Sequence, residues 1–162
     1  MTLPGPAPTE SEVQAVTTLL GRRPQGDFRV VVRDDEGEPV VLMNAPLLDD
    51  GTPMPTLYWL VGKREVAAVS TLEADATIDQ VEALIGLDAI ETIHRRYEAD
   101  RDRFVPAGHA GPAPSGGVGG TRRGVKCLHA HYGHWLAGGD DAVGAWVHER
   151  LLERGLVAGG SR

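Results

Sequence analysis

The sequence predicts an α+β fold in which a small antiparallel sheet of about three strands packs against about six helices. Three short segments rich in β-branched and aromatic residues lie between residues 28 and 61, and turn-forming residues separate them. Before and after these segments, apolar residues recur every three or four positions, which is the spacing of helices with one buried face. The chain has 162 residues, a length that fits one domain with a sizeable core.

The first two strands are predicted to form a β-hairpin. FRVVVR at 28–33 and VVLMN at 40–44 flank the segment DDEGEP, whose Asp, Gly and Pro residues favour a turn. Simple alternation would place Phe28, Val30 and Val32 on one face of the sheet. YWLV at 58–61 is the third predicted strand, and the proline-punctuated loop 44–55 leads to it.

The predicted helices are recognised by capping residues followed by apolar stripes. Serine, threonine or aspartate followed three residues later by glutamate or glutamine forms a capping box, and glycine is a frequent terminator. The predicted helices follow a Thr9/Glu12 box, span 64–73, follow a Thr77/Gln80 box, follow an Asp88/Glu91 box, span 124–137 and follow Asp140 or Asp141. On the fourth helix we expect a solvated outer face with Glu91–Arg95 and Arg96–Asp100 pairs, and we assign no function to His94.

Composition limits the classes of function and the organisation of the chain. The net charge of −7 argues against general nucleic-acid or anionic-membrane binding. No apolar run approaches the roughly 20 residues that span a bilayer, and the first residues lack the features of a signal peptide. A single cysteine suits a reducing compartment, so we expect a cytoplasmic protein. Residues 1–8 are expected to be a disordered arm, 9–157 one domain and 158–162 a disordered tail.

The segment 116–139, GGVGGTRRGVKCLHAHYGHWLAGG, carries the residues with the richest chemistry. No acidic residue lies between Asp102 and Asp140, although the composition predicts roughly five in a window of that length. We expect residues 106–120 to be mobile when no ligand is bound, and the following helix to present its Cys/His side chains beside the 44–59 segment. The core face of that helix is predicted to comprise Val125, Leu128, Tyr132 and Trp135.

One interpretation of this segment is an anion site. A glycine loop that leads into a helix start offers free backbone N–H groups and the positive end of the helix dipole. Three cations add positive charge there, and arginine can bind phosphate with two parallel hydrogen bonds. The sequence is not a Walker A loop, because Val125 stands where its lysine should be. The predicted anion-binding residues are Gly117, Gly119, Gly120, Arg122, Arg123 and Lys126.

Two further interpretations use the cysteine and the histidines. Cys127, His131 and His134 occupy positions i, i+4 and i+7, so a continuous helix would place them on one stripe and direct His129 elsewhere. Cys127 could serve as a nucleophile with His131 as its base. Alternatively, Cys127, His131 and His134 could bind a transition metal such as zinc, with His109 or water completing the site. The plain structural alternative is a buried thiol with histidines that hydrogen-bond between helices.

The order of several segments resembles a bacterial family of unknown function, DUF501. The segments are FRVVVR, NAPLLDDGTPMPTLYWL, VAAVSTLEA and GGVGGTRRGVKCLHAHYGHWLAGGDDAVG, and the resemblance covers roughly residues 20–147. Genes of that family often lie beside genes for a septum-formation initiator protein and an exopolyphosphatase. The resemblance therefore implies a connection to polyphosphate or to cell division, and it assigns no catalytic residue.

Two classes of function remain open at this point. The first is binding, with or without turnover, of a phosphorylated small molecule or polyphosphate at the glycine loop. The second is a non-enzymatic interaction module with a protein partner in division or polyphosphate metabolism, in which the Cys/His residues are structural. A Cys/His metal-binding protein is the third alternative.

Overall fold

The computed structural model describes residues 2–159 and confirms the α+β class. Within those residues six α-helices accompany a three-stranded antiparallel sheet, as predicted. The elements are α1 (Glu10–Leu20), β1 (Phe28–Arg33), β2 (Pro39–Asn44), β3 (Tyr58–Leu60), α2 (Lys63–Glu73), α3 (Thr77–Ile85), α4 (Leu87–Asp102), a 3₁₀ turn (Val118–Gly120), α5 (Leu128–Leu136) and α6 (Ala142–Glu153). No helix in this part of the chain is long and apolar enough to cross a membrane.

The predicted hairpin is present, and β2 is the central strand of the order β1-β2-β3. Phe28 pairs with Asn44 at one end of the hairpin and Arg33 pairs with Pro39 at the other. The Asp34 side chain closes the turn, because its Oδ1 accepts hydrogen bonds from the backbone N–H groups of Glu36 and Glu38, both at 2.9 Å. All six β2 residues are buried, so both faces of this strand are covered.

A β-bulge changes the predicted facing of β1. Val30 pairs with Leu42 and Val32 pairs with the adjacent Val41, so Val31 is an extra residue in the ladder. Val30 packs against one apolar cluster and Val32 against another. The prediction that Phe28, Val30 and Val32 share a face is therefore wrong for Val32, because the extra residue interrupts the alternation.

The sheet separates two apolar clusters of unequal size. The smaller one comprises Val16 of α1 with Phe28, Leu42 and Val61. The larger one gathers residues from α2 to α6 on the opposite side. Leu3 belongs to this larger core and is 5% exposed, so the segment expected to be a disordered arm is anchored there. Of the expected tail 158–162, residues 160–162 lie outside the described residues.

The helix starts show which local signals determine the structure. The Thr9/Glu12 capping box is present at α1. The Thr77/Gln80 box is not formed, because the residue before α3 is Ala76 in a left-handed conformation and the Thr77 hydroxyl donates to Leu72 O at 3.0 Å. The Asp88/Glu91 box is not formed either, because α4 begins two residues earlier than that box would place it, directly after Gly86.

The outer face of α4 carries one of its two predicted ion pairs. Glu91 and Arg95 lie 3.7 Å apart. Arg96 instead reaches Asp140 across the molecule at 2.6 Å, and Asp100 pairs with Arg103 at 2.9 Å. The i,i+4 spacing therefore predicted the Glu91–Arg95 pair correctly but not the Arg96–Asp100 pair, because Arg96 pairs with Asp140 instead.

Candidate functional site

Helix α5 begins four residues later than predicted, and this changes which histidine faces the cysteine. Gly124 has a left-handed backbone with φ of 67°, and Cys127 is the extended residue before the helix. The helix then runs from Leu128 to Leu136. Cys127 is therefore not on a helical stripe with His131 and His134, and the premise of the i, i+4, i+7 set is wrong.

Part of the predicted core face is nevertheless correct. Val125, Leu128 and Tyr132 belong to the larger apolar core, and Trp135 packs against it while partly exposed. The irregular segment before Leu128 still directs Val125 inward. Burial of this face fixes the position of α5 against β3 and α6.

Cys127 contacts His129, whose ring also contacts Glu73. Cys127 Sγ lies 3.6 Å from His129 Nδ1, and the same nitrogen lies 3.3 Å from Glu73 Oε1. Glu73 belongs to α2, and its Oε1 also accepts the Leu128 backbone N–H at 2.7 Å. The first free N–H of α5 thus already has a carboxylate partner, at the end of the helix where negative charge is stabilising.

The other side of the His129 ring is fixed by α2. Its Nε2 lies 3.2 Å from the carbonyl oxygen of Val66 and 3.1 Å from Ser70 Oγ. A carbonyl oxygen can only accept, so Nε2 carries a hydrogen and Nδ1 is the atom turned to Cys127 and Glu73. The interaction with Cys127 raises the pKa of His129 to about 9 against the opposing effect of burial, and Glu73 adds to the rise.

His131 and His134 form a second, buried cluster around Asp141. The Nδ1 atoms of the two rings lie 2.8 Å and 2.9 Å from Asp141 Oδ2, and all three residues are buried. Asp141 also caps α6, because its Oδ1 accepts the Gly144 backbone N–H at 3.0 Å. Burial alone would raise the pKa of the Asp141 carboxyl, but its hydrogen bonds with His131 and His134 hold that pKa well below its usual range.

His94 connects this buried cluster to the glycine loop. Its Nδ1 accepts the Val118 backbone N–H at 3.1 Å, so its Nε2 carries the hydrogen and donates to Gly124 O at 2.7 Å. Burial lowers the pKa of His94. The ring centroids of His94 and His131 lie 5.6 Å apart. We expected His94 on the solvated face of α4, but it is buried because the loop packs over it.

The glycine loop is held in place, contrary to the expectation that it would be mobile. Arg101 is fully buried in α4 and donates to the carbonyl oxygens of Gly116, Pro114 and Pro55 at 2.6, 3.4 and 3.3 Å. Gly117 lies so close to His94 that a Cβ there would overlap with it. The loop contains the 3₁₀ turn Val118–Gly120 and lies beside Pro55.

The three cations of the predicted anion site remain at the surface. Arg122, Arg123 and Lys126 are exposed, and the Lys126 side chain runs alongside Gly119. Although residues 103–139 contain no acidic residue, carboxylates from other parts of the chain lie close to this segment. Glu73 reaches the start of α5, and a Cβ at Gly124 would lie 2.8 Å from a Glu82 carboxylate oxygen.

The structure separates the predicted site residues into distinct places. The predicted Cys127–His131 pair is not in contact, because Cys127 bonds His129 and His131 bonds Asp141. Within residues 2–159, the three residues whose potential ligand atoms all lie within 4.8 Å of one another are Glu73, Cys127 and His129. His109 bonds Pro112 O within its own loop at 3.0 Å.

A separate open groove lies away from the glycine loop. It has a volume of about 1070 Å³, and its walls come from the β1–β2 hairpin, the start of α2 and the facing sides of α5 and α6. Trp135 and His148 form part of its wall with ring centroids 4.6 Å apart, and Tyr132 and His148 share a 3.0 Å hydrogen bond there. No sequence motif indicated this groove, because its residues come from distant parts of the chain.

Comparison with known proteins matches the chain to a family model, but to no curated protein or solved structure. No curated protein and no solved structure matches the chain. A family model described as "Protein of unknown function (DUF501)" matches residues 30–149. This range includes most of β1, all of β2 and β3, the helices α2–α5, the glycine loop, both histidine clusters and most of α6. The chain therefore belongs to the DUF501 family.

Proposed function

We propose that the protein binds a phosphate-bearing ligand, either a phosphorylated small molecule or polyphosphate, at the glycine loop and the cations that follow it. The observation that carries this proposal is that three neighbouring cations, Arg122, Arg123 and Lys126, lack carboxylate partners. They are exposed, and in the part of the chain that the structure describes no carboxylate forms an ion pair with any of them. An anion from solution would supply the missing partner.

The contrast with the other arginines supports a binding role for this segment. Most arginines elsewhere in residues 2–159 form ion pairs with carboxylates, namely Arg29, Arg33, Arg95, Arg96, Arg101, Arg103, Arg150 and Arg154. In a protein of net charge −7, acids are available to pair with cations. Arg22, Arg23, Lys63 and Arg64 also lack carboxylate partners in residues 2–159, but the segment 122–126 places three such cations directly after the glycine loop. This combination is informative about the ligand.

The backbone beside these cations suits close approach of an anion. Gly119 and Gly120 have φ values of 67° and 76°, a conformation that glycine adopts without the steric cost of a Cβ. The N–H of Leu128 is excluded from the proposal because Glu73 already accepts it. The N–H groups of Gly117 and Gly120 are excluded as well, because they donate within the loop, to Thr121 O and Gly117 O. The proposal is one of binding, since Cys127 and His131, the predicted catalytic pair, lie in separate clusters.

Calorimetric titration with inorganic phosphate, tripolyphosphate and long-chain polyphosphate tests the proposal. The double variant Arg122→Ala/Lys126→Ala should weaken binding by about tenfold or more, the equivalent of losing about 1.4 kcal/mol. The control is Arg23→Ala/Arg64→Ala, which removes two exposed cations that also lack a carboxylate partner in residues 2–159. Equal affinity of the two double variants, or no binding by the wild type, would contradict the proposal.

The groove favours a second candidate, the interaction module. Its apolar lining includes Val31, which is 40% exposed. Its carboxylates outnumber its cations, with Asp34, Asp35, Glu36, Glu38 and Glu65 against Arg33, Lys63 and Arg64. These features suit a peptide that combines apolar anchors with lysine or arginine.

Peptide display tests this second candidate directly. A library of short peptides should yield basic, apolar sequences that bind the wild-type protein and lose binding to Val31→Glu. The control Val31→Thr keeps the β-branched shape and the neutral charge, so it should retain most of the binding. Enriched peptides that bind all three proteins equally would argue against the groove as a docking site.

A further inference from the structure

We propose that Glu73, Cys127 and His129 form a binding site for a divalent transition metal of the zinc class. The three side chains offer oxygen, sulfur and nitrogen, a mixture that zinc accepts. They come from two places in the chain, since Glu73 lies on α2 and the other two lie at the start of α5. The proposal does not depend on phosphate binding.

Two of the three distances between the potential ligand atoms match a tetrahedral site, and the third, from Cys127 Sγ to a Glu73 carboxylate oxygen, is below 4.8 Å. Zinc–sulfur bonds of about 2.3 Å and zinc–nitrogen bonds of about 2.0–2.1 Å place sulfur and nitrogen about 3.6 Å apart at a tetrahedral angle. Nitrogen and carboxylate oxygen would be about 3.4 Å apart. The observed separations are 3.6 Å for Cys127 Sγ to His129 Nδ1 and 3.3 Å for His129 Nδ1 to Glu73 Oε1.

The orientation of the His129 ring provides an independent argument. Since Nε2 carries the hydrogen that faces Val66 O, a neutral ring turns its Nδ1 lone pair toward Cys127 and Glu73. A divalent ion at this place would balance the charge of one thiolate and one carboxylate. Its binding would release to solvent the proton that Cys127 and His129 share.

The surroundings of His129 also resemble those of established metal ligands. Metal-bound histidines usually donate their second ring N–H to a carbonyl or carboxylate, which fixes the tautomer. Val66 O provides this acceptor at 3.2 Å, with Ser70 Oγ beside it at 3.1 Å. The three ligand residues are partly exposed, so a water molecule can occupy the fourth position, as in sites with an open coordination position.

The proposed ligands differ from the set predicted by helical spacing. Cys127 is common to both sets, but Glu73 and His129 replace His131 and His134. The imidazole Nδ1 atoms of the latter two are already bonded to Asp141. Substitution of His129 therefore separates the two sets of ligands experimentally.

Metal titration of the purified protein, stripped with a chelator and kept reduced, is the test. We expect Zn²⁺ to bind with near unit stoichiometry by calorimetry, and Co²⁺ to give a thiolate-to-metal charge-transfer band with visible bands typical of tetrahedral cobalt. Glu73→Gln, Cys127→Ser and His129→Gln should each weaken binding by at least the roughly 10–100-fold that follows loss of an outer-shell partner. Ser70→Ala should weaken it less, because Val66 O remains.

The control is His148→Gln, which changes a half-buried histidine outside the cluster and should leave the titration unchanged. Circular dichroism establishes that each variant is folded, and Cys127→Ser, being nearly isosteric, keeps the test valid if another variant fails to fold. Absence of near-stoichiometric Zn²⁺ binding by the wild type would overturn the proposal. Tight binding that survives His129→Gln or Cys127→Ser would overturn it as well.

Discussion

Asp141 caps α6 and also accepts hydrogen bonds from two buried histidines, His131 and His134. Asp141→Ala leaves the Nδ1–H groups of His131 and His134 without their acceptor, and it removes the helix cap. We expect the free energy of unfolding to fall by about 3–5 kcal/mol, the usual cost of breaking a buried charged pair from one side. Urea denaturation at neutral pH measures this loss.

The neighbouring aspartate provides the matched control for that measurement. Asp140 is exposed and pairs with Arg96 at the surface. Asp140→Ala should change the free energy of unfolding by no more than about 1 kcal/mol, as is typical of exposed pairs. Similar effects of the two substitutions would mean that the buried cluster contributes little to stability.

The same carboxylate predicts how stability depends on pH. Its pKa is lower in the folded state than the unfolded value of about 3.9. The stabilisation is therefore complete above that value and is lost as the pH falls toward the folded pKa. The groups that face it are His131 and His134 on α5. The more distant His94 also interacts with it electrostatically.

Urea denaturation of the wild type and Asp141→Asn between pH 6 and pH 3 tests this prediction. The stability difference between them should shrink as the pH falls below about 4, because the unfolded wild-type chain then takes up a proton at this carboxyl while the folded protein keeps it ionised. A difference that stays constant or grows over this range would contradict the assigned direction of the pKa shift.

At the residue scale, the sequence predicted roles that depend on adjacent residues but not contacts between residues distant in the chain. Asp141 was recognised as a cap because that role depends on adjacent residues. Its bonds to His131 and His134 were not, since the helical wheel contained no α6 residue. Glu73 lies more than fifty positions from Cys127 in the sequence, so no local pattern could place it there. His94 likewise acquired its role from the loop that folds over it.

At the scale of elements, α5 and α6 approach each other through a glycine. A Cβ at Gly144 would overlap with His131 O and Trp135 Cβ, and α6 does not have the left-handed backbone that would require glycine for another reason. Gly144→Ala should therefore lower the free energy of unfolding by about 1–3 kcal/mol, the usual cost of overpacking, although alanine favours isolated helices.

Thermal and urea unfolding of Gly144→Ala and Gly159→Ala make the comparison. Nothing lies within 4 Å of a Cβ at Gly159, so the control should change the free energy of unfolding by less than about 0.5 kcal/mol. A stabilised Gly144→Ala variant would show that helix propensity outweighs the close contact.

The sequence predicted strands better than helix starts for a physical reason. Strand segments such as 28–33 were identified from residues that stay adjacent in the structure. The helix starts were harder to predict because neighbouring residues could each serve as the N-cap. In α4 the N-cap is Gly86 and not Asp88. Left-handed Gly124 kept residues 124–127 out of α5, although their apolar pattern was compatible with a helix.

At the scale of the whole molecule, Arg101 joins parts of the chain that are distant in sequence. From α4 it donates to the carbonyl oxygen of Pro55 in the loop 44–55 and to two carbonyl oxygens in the glycine loop. Arg101→Met keeps much of the side-chain volume but leaves these acceptors unpaired. Each buried acceptor without a donor costs about 1–3 kcal/mol, so the free energy of unfolding should fall by at least that amount.

Hydrogen exchange gives the structural readout of the same substitution. The Val118 N–H, which donates to His94, should exchange faster in Arg101→Met, because the loop that holds it has lost its anchor. In Arg103→Ala, which breaks only the exposed pair with Asp100, that amide should exchange as in the wild type. Unchanged exchange in both variants would show that the loop is held without Arg101.

The bulge at Val31 has a consequence for encounters between molecules. Among residues 2–159, no strand lies beside the outer edge of β1 in the order β1-β2-β3, and an exposed regular edge can recruit a strand from another copy. The bulge interrupts the regular spacing of donors and acceptors along that edge. Arg33 is further held by its ion pair with Glu12 of α1. The irregularity that divides the valines of β1 between two apolar clusters thus also opposes self-association through strand pairing.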